Sequence, residues 1–414
     1  MVITLKTIVV VKRDLYMNQL RDFIDKPIIK VITGIRRCGK SVILRLLKDE
    51  LHQRRIDDEQ IIYLNFDSFE FADIDKAEKL YAYVKERVKE GRRYYILLDE
   101  VQEVDLWEKA VNSFLVDFNS DIYITGSNSR ILSSELSTYL AGRYVEIHLF
   151  TLSFSEYLLF KTVRTGNLIA DHRSEFHNFL RLGGFPVLHI AEYQIDTAYK
   201  VVYDIYSSAI LRDTIQRNNI RDVELLERVV KFVFDNVGNT FSAKNVADYF
   251  KSQQRKIDLN TVYNYLNALQ SAFIIDRIPR YDIKGKEILK TNEKYFVGDQ
   301  AIVYAVMGYK DRLISGILEN ILMLELKRRG YKVFIGKLGD KEIDFIAEKN
   351  ENKIYVQVAW KMEGQSTIDR EFSPLLEIKD HYPKYVVTMD EFWSDNIDGV
   401  KHMHFADFLL LDSF

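Results

Sequence analysis

The sequence predicts an α/β protein: a parallel sheet wrapped by helices, then a mostly helical stretch, then two smaller modules. Three observations predict it. Apolar strand-like runs at 29–33, 61–66, 94–98 and 121–125 alternate with helix-like stretches at 75–90 and 106–118. A glycine-bracketed octapeptide, Gly34 to Ser41, separates the first run from an apolar helix-like stretch at 42–47. The third run ends abruptly in two carboxylates, Asp99 and Glu100. Alternation of this kind reads as strands joined by crossover helices. Carboxylates at a strand's end then fall on the sheet edge where ligands of open α/β sheets bind.

Composition frames this reading. A chain of 414 residues with 29% charged and 47% apolar residues, and few prolines and glycines, is long enough for several cores. The net charge of −3 gives no global nucleic-acid signal, so any DNA contact must rest on a local patch. The single cysteine, Cys38, excludes an intramolecular disulfide and fits a reducing compartment. The N-terminal stretch is too short and mixed for a signal peptide, and no apolar run approaches the length that spans a bilayer. The expectation is a soluble, cytoplasmic protein with no membrane partner.

The octapeptide Gly34, Ile35, Arg36, Arg37, Cys38, Gly39, Lys40, Ser41 matches G-x-x-x-x-G-K-[ST] in its required strand–loop–helix setting. Glycines let backbone N–H groups close on phosphate oxygens, and a helix starting near Gly39 aims its positive end at them. The expected phosphate-binding set therefore runs from Gly34 through Val42. Lys40 would reach the β- and γ-phosphates, and Ser41 would hold Mg²⁺ with Asp99. Glu100 would orient or deprotonate the attacking water. A strand between the loop and the carboxylates, with a Glu after the Asp, points to the additional-strand branch of P-loop ATPases, as opposed to kinases or GTPases. ATP and Mg²⁺ are the expected ligands.

Here the chain resembles a family. The stretch 98–107, followed by 125–135 and by Ala141, Gly142 and Arg143, is similar to the AAA-type ATPases of bacteria and archaea that carry an uncharacterised C-terminal domain. The resemblance spans most of the chain and implies an AAA-type core at 1–150 with a helical lid at 151–220. It implies that Ser127 or Asn128 senses the γ-phosphate. It also implies that Arg143 reaches a neighbouring subunit's nucleotide, with Arg130 a rival, in a homo-oligomer with shared sites. An arginine offers charge and a rigid fork of donors for such a role. A surface or structural arginine is the plain alternative.

Residues 221–295 read as a winged helix-turn-helix. Leu225, Val229, Phe232 and Val233 repeat at helical spacing, Ser242 caps a second helix bearing Val246, Tyr249 and Phe250, and a third carries Leu259, Val262, Leu266 and Leu269. Tyr263, Asn264 and Asn267 lie opposite, able to bond bases or phosphates. Arg277, Arg280, Lys284, Lys286 and Lys290 make a basic wing suited to DNA phosphates, although exposed hairpins favour Lys and Arg in protein-docking modules too.

Residues 296–414 resemble the restriction-endonuclease-like fold, which implies a helix acid, an Asp opening one strand and a Glu-x-Lys on the next. Glu319 and Asp344 match the first two. Gln357, Val358 and Ala359 stand where Glu-x-Lys is expected, and Lys361 two residues on does not replace the missing carboxylate. Phosphodiester cleavage needs metal charge on attacking and leaving oxygens, so this domain is expected to be inactive. The leading expectation is an ATPase that moves or switches its C-terminal modules, with DNA as partner. The alternatives are a nucleotide-gated switch acting through protein contacts and an ATP-dependent nuclease.

Overall fold

The computed structural model describes residues 10–127, 142–255, 257–391 and 396–414. The chain divides into two compact units between Phe150 and Thr151. Among the described residues no helix is long and apolar enough to cross a membrane.

The first unit runs α1 (Asp14–Phe23), β1 (Ile29–Thr33), α2 (Lys40–Gln53), β2 (Ile61–Asn65), α3 (Ala77–Lys85), β3 (Tyr94–Asp99), α4 (Trp107–Asp117), β4 (Ser120–Gly126) and β5 (Tyr144–His148). The strands form one parallel sheet in the order β2-β3-β4-β1-β5. Because β4 lies between β1 and β3, the loop after β1 and the carboxylates after β3 share one edge, two strand spacings or about 10 Å apart. Helices cover both faces, so β1 and β3 are buried at every residue and read as continuous apolar runs. Leu80, Val84, Trp107, Val111 and Phe114 of α3 and α4 pack on Ile62, Leu64, Ile96, Leu98, Ile122 and Ile124.

Lys30 breaks the apolar run without disturbing it. Its ammonium is fully buried against Asp121 of β4, whose other oxygen accepts from the Tyr123 hydroxyl at 3.0 Å and the Asp25 N–H at 2.8 Å. The helix expected over 75–90 ends at Lys85, and Gly91 beyond it takes φ +81°.

The second unit begins with helices α5 (Phe154–Thr165), α6 (His172–Leu182) and α7 (Ile195–Asp204), a π-helical segment Ile205–Leu211, and α8 (Arg212–Arg217). Residues 151–220, expected as the helical lid, fall in the same compact unit as the C-terminal residues. Next come α9 (Val223–Asp235), β6 (Thr240–Phe241), α10 (Ala243–Ser252), α11 (Leu259–Ser271) and the hairpin β7 (Ile275–Asp282) and β8 (Glu287–Val297). Capping boxes at Ser153 and Ser242 and Asx caps at Asp171, Asp222 and Asp258 start most of these helices.

The chain then continues through α12 (Gln300–Met307), α13 (Ile314–Arg328), β9 (Lys332–Leu338), β10 (Lys341–Lys349), β11 (Asn352–Val358), α14 (Gln365–Leu376), β12 (Lys384–Thr388), β13 (Asn396–Ile397), β14 (Val400–His404) and α15 (Phe405–Leu409). All nine strands form a single mixed sheet, β13-β14-β12-β11-β10-β9-β7-β8-β6. The hairpin read as a basic wing is an interior pair of this sheet, because β7 joins β9 in parallel, Arg280 opposite Ile335. The division at 295/296 therefore cuts through one hydrogen-bonded sheet.

Candidate functional site

The loop after β1 is shaped by contacts that only glycine allows. Gly34 has φ +146°, and a Cβ there would lie 2.2 Å from the Leu149 carbonyl oxygen. Gly39 takes φ +109° and precedes α2 with no side-chain cap. Helix N–H groups at that end are thus left for an external acceptor, as an anion site requires. Two of the loop's N–H groups are already used: Cys38 N–H donates to Ile35 C=O (3.2 Å) and Val42 N–H to Gly39 C=O (3.1 Å). Cys38 is buried, and burial pushes its thiol above its ordinary value, so it serves as packing.

Lys40 is 3% exposed, donates to Gly34 C=O at 3.2 Å and lies 3.4 Å from Glu100 Oε1. Asp99 and Glu100 stand where the sequence places them, at the end of β3. Glu100 has φ +54°, a left-handed conformation that is costly for a residue with a Cβ and clusters at functional sites. Its N–H donates to Thr125 Oγ1 (2.8 Å), and Thr125 Oγ1 donates to Asp99 Oδ1 (2.6 Å). The Tyr63 hydroxyl donates to Asp99 Oδ2 at 3.2 Å, and Ser41 also hydrogen-bonds to Asp99.

The two carboxylates are shifted in opposite directions. Burial drives Asp99 above the ordinary carboxylate range, against the bonds from Thr125 and Ser41. Burial pushes Glu100 the same way, but the charge of Lys40, with the Gln102 amide and Arg36, outweighs it and leaves Glu100 below its ordinary value. An ionised Glu beside a lysine and an Asp beside a serine hydroxyl give distinct roles to adjacent residues.

Ser127 joins the site through a hydrogen bond to Glu100, whereas Asn128 and Arg130 lie outside the described residues. Arg143 is exposed, donates to Asn112 Oδ1 at 2.9 Å, and sits at the opposite end of the sheet, its carbonyl accepting from Ile29 N–H at 2.8 Å. Sequence reading missed Arg13, Tyr63, Gln102 and Thr125. Arg13 is 4% exposed and donates from Nη1 to Cys38 C=O (3.1 Å) and Phe150 C=O (2.9 Å), so it fixes the loop from behind. The only signal for Thr125 was a hydroxyl ending the strand beside the carboxylates.

In the second unit, Tyr263, Asn264 and Asn267 are exposed on α11 as expected, but Leu259, expected in the core, is 43% exposed. Arg277 pairs with Glu293 at 3.7 Å and Arg280 is half-buried. Lys284 and Lys286 remain exposed at the hairpin tip. A cleft of about 960 Å³ gathers Glu319, Glu342, Asp344, Gln357, Glu371 and a lysine not expected there, Lys294 of β8.

Comparison with known proteins agrees with the first unit's geometry. Residues 26–158 match the family described as AAA domain, and residues 173–313 match a domain of unknown function. The Walker-type ATPase PABY2304 of Pyrococcus abyssi has a similar fold, with a TM-score of 0.51 at 14% identity over 72% of this chain and 96% of that one. An uncharacterised protein of Methanocaldococcus jannaschii is 28% identical over 81% of this chain and 75% of its own length. An uncharacterised protein of Haemophilus influenzae is 39% identical over 401 residues, 97% of this chain and 98% of its own length. The chain therefore belongs to the family of this Haemophilus influenzae relative, and its phosphate loop and paired carboxylates lie within an AAA-type P-loop ATPase core.

Proposed function

We propose that the protein binds ATP with Mg²⁺ and hydrolyses it, and that nucleotide state switches the second unit's activity on DNA. One arrangement carries this reading: an uncapped α2 N-terminus with Lys40 at its first turn, facing Asp99 and Glu100 across one sheet edge. The residues fit a hard divalent ion, since Ser41 and Asp99 supply oxygen donors already hydrogen-bonded to each other. Mg²⁺, when bound, adds charge on the β- and γ-phosphate oxygens.

The chain's own residues do the rest. Lys40 exchanges Gly34 C=O and Glu100 for phosphate oxygens. That exchange frees Glu100 to take a proton from the attacking water. Gln102 and Ser127 hold the Glu100 carboxylate, and Thr125 holds its backbone, so the base is positioned before substrate arrives. The test is steady-state phosphate release with and without double-stranded DNA. No turnover with either would overturn the proposal.

The DNA reading is supported by the order α9, β6, α10, α11, β7, β8, with β6 pairing β8, as in a winged helix, and by the exposed polar face of α11. A second reading, a nucleotide-gated switch acting through protein contacts, is favoured by the pairing of β7 with β9, which leaves only the hairpin tip free.

A further inference from the structure

The acidic cleft of the second unit raises a question that the nucleotide site does not: what balances its charge. The nuclease-like resemblance implies a divalent ion held by Glu319, Asp344 and residue 357. The residues present do not fit one. Residue 357 is a glutamine whose Oε1 accepts Asp344 N–H at 3.1 Å, and Asp344 Oδ2 accepts Val358 N–H at 2.8 Å. Glu371 of the cleft pairs with Arg370, and one oxygen each of Glu319, Glu342 and Asp344 lies near a single atom. Lys294 Nζ lies 2.8 Å from Glu319 Oε2, 2.9 Å from Glu342 Oε1 and 3.5 Å from Asp344 Oδ1, with its side chain 3% exposed. Among the described residues no three His, Cys, Asp or Glu side chains are grouped to hold a metal ion.

The ammonium hydrogen-bonds to Glu319 on α13 and lies within ion-pair distance of two carboxylates on β10, Glu342 and Asp344. A divalent ion binding these same oxygens at about 2.0–2.6 Å would stand within a few ångströms of a buried positive charge. The ammonium and a divalent ion therefore compete for the same three carboxylate oxygens.

The backbone confirms that this meeting is built in. A Cβ on Gly316 of α13 would lie 2.1 Å from Val237 C=O, and one on Gly238 would lie 2.7 Å from Gly316 Cα and 3.4 Å from the Glu319 carboxyl. Glycines at both positions let the turn before β6 seat directly on α13. With β6 paired to β8, that contact fixes the strand from which Lys294 reaches Glu319.

We propose that the Lys294 ammonium is the resident cation of this cleft, standing where a divalent ion would have to bind. The native cleft therefore takes up no Mg²⁺ or Mn²⁺, and its carboxylates instead clamp the β7–β8 hairpin to α13 and β10. The proposal is independent of ATP hydrolysis and of DNA binding. It implies that removing the ammonium, rather than adding a ligand, opens a metal site.

The test is Mn²⁺ titration of the full chain without nucleotide, followed by electron paramagnetic resonance and by melting temperature in Mn²⁺ and in EDTA. The parent should bind the same number of Mn²⁺ ions as Asp344→Asn. Lys294→Met should melt lower in EDTA, bind one Mn²⁺ more than the parent and regain melting temperature with it, and Asp344→Asn in the same chain should remove the gain. Lys294→Gln keeps a neutral donor towards Glu319 and all the carboxylates, and it serves if Lys294→Met fails to fold; it too should gain Mn²⁺. A parent that binds Mn²⁺ lost in Asp344→Asn, or a folded variant with no gain, would overturn the proposal.

Discussion

Lys40 and Glu100 neutralise each other across 3.4 Å, which makes their substitutions separable. Lys40→Ala removes a charge-assisted donor to phosphate, worth roughly 1.5–3 kcal/mol, and should weaken ATP binding by about 10- to 100-fold. Glu100→Gln keeps the shape and the Gln102 contact, so binding should stay within a few-fold while turnover drops by about a hundredfold or more. Nucleotide titration beside phosphate release checks both, and a Glu100→Gln variant turning over at the parent rate removes Glu100 from the role of base. A second residue-scale case lies at the Gly183–Gly184 turn. His189 Nε2 is 2.8 Å from Gly183 C=O, and burial lowers the ring's pKa to about 4. Asp299 accepts Gly184 N–H at 2.8 Å, and burial raises its pKa to about 6. The unfolded chain protonates the histidine near 6.5, so its contribution is complete above that pH and is lost as pH falls towards 4. The aspartate acts oppositely, since the folded state retains its proton to higher pH than the unfolded chain, which favours folding as pH falls below 6. His189→Asn should isolate the first effect: parent-minus-variant stability should fall by about 2–3 kcal/mol between pH 7 and pH 4 in urea melts. A pH-independent difference would show that the ring is not buried neutral. Asp299, Arg13 and Tyr63 did not announce themselves in the sequence because each acts on a partner far along the chain, and His189 did not because only the fold buries its ring. The phosphate loop was legible because all its chemistry lies within eight consecutive residues.

Among elements, β1, β3 and β4 were readable because a parallel strand buried on both faces writes itself as an unbroken apolar run. Lys30 within β1 was the exception, and its explanation is a partner ninety-one positions away in β4. The helices from Val223 to Ser271 were readable for the complementary reason, 3.6-residue periodicity started by Asp and Ser caps. The hairpin's place was not. Its pattern fits a free wing or an interior pair equally, and the pairing of Arg280 with Ile335 leaves no local mark. That pairing changes what the hairpin can offer DNA. With Arg277 on Glu293 and Arg280 half-buried, Lys284 and Lys286 carry the exposed charge. Replacing both with glutamine should weaken binding to all DNA sequences alike and flatten the dependence of log affinity on log salt by about one to two units. ATP turnover without DNA should not change. Fluorescence anisotropy over a salt series reads this directly, and an unaltered slope would transfer the hairpin to the protein-contact reading.

At the scale of the molecule, the first unit holds every described residue assigned to ATP, and one of them, Arg143, stands apart from the rest. Arg143 precedes β5, which pairs with β1 from Ile29 opposite Tyr144, so the arginine lies at the start of the sheet while Gly34 lies beyond its other end. Five residues of strand separate the two levels, about 16 Å, and an arginine side chain does not cover that distance to its own phosphate loop. A role in turnover therefore requires a second copy of the chain presenting Arg143 to the first copy's nucleotide. In that arrangement Arg143→Ala should leave ATP affinity within a few-fold of the parent, because the chain's own loop is intact, and should lower turnover by about a hundredfold or more. The defect should also be divisible. A Lys40→Ala chain has a dead loop but a sound arginine, whereas an Arg143→Ala chain has the reverse. Mixtures should therefore form composite sites and recover part of the parent rate, with a maximum near equal proportions. Phosphate release across mixing ratios, read beside molar mass by light scattering in ATP, decides it: a single-chain mass with no recovery at any ratio would confine Arg143 to its contact with Asn112.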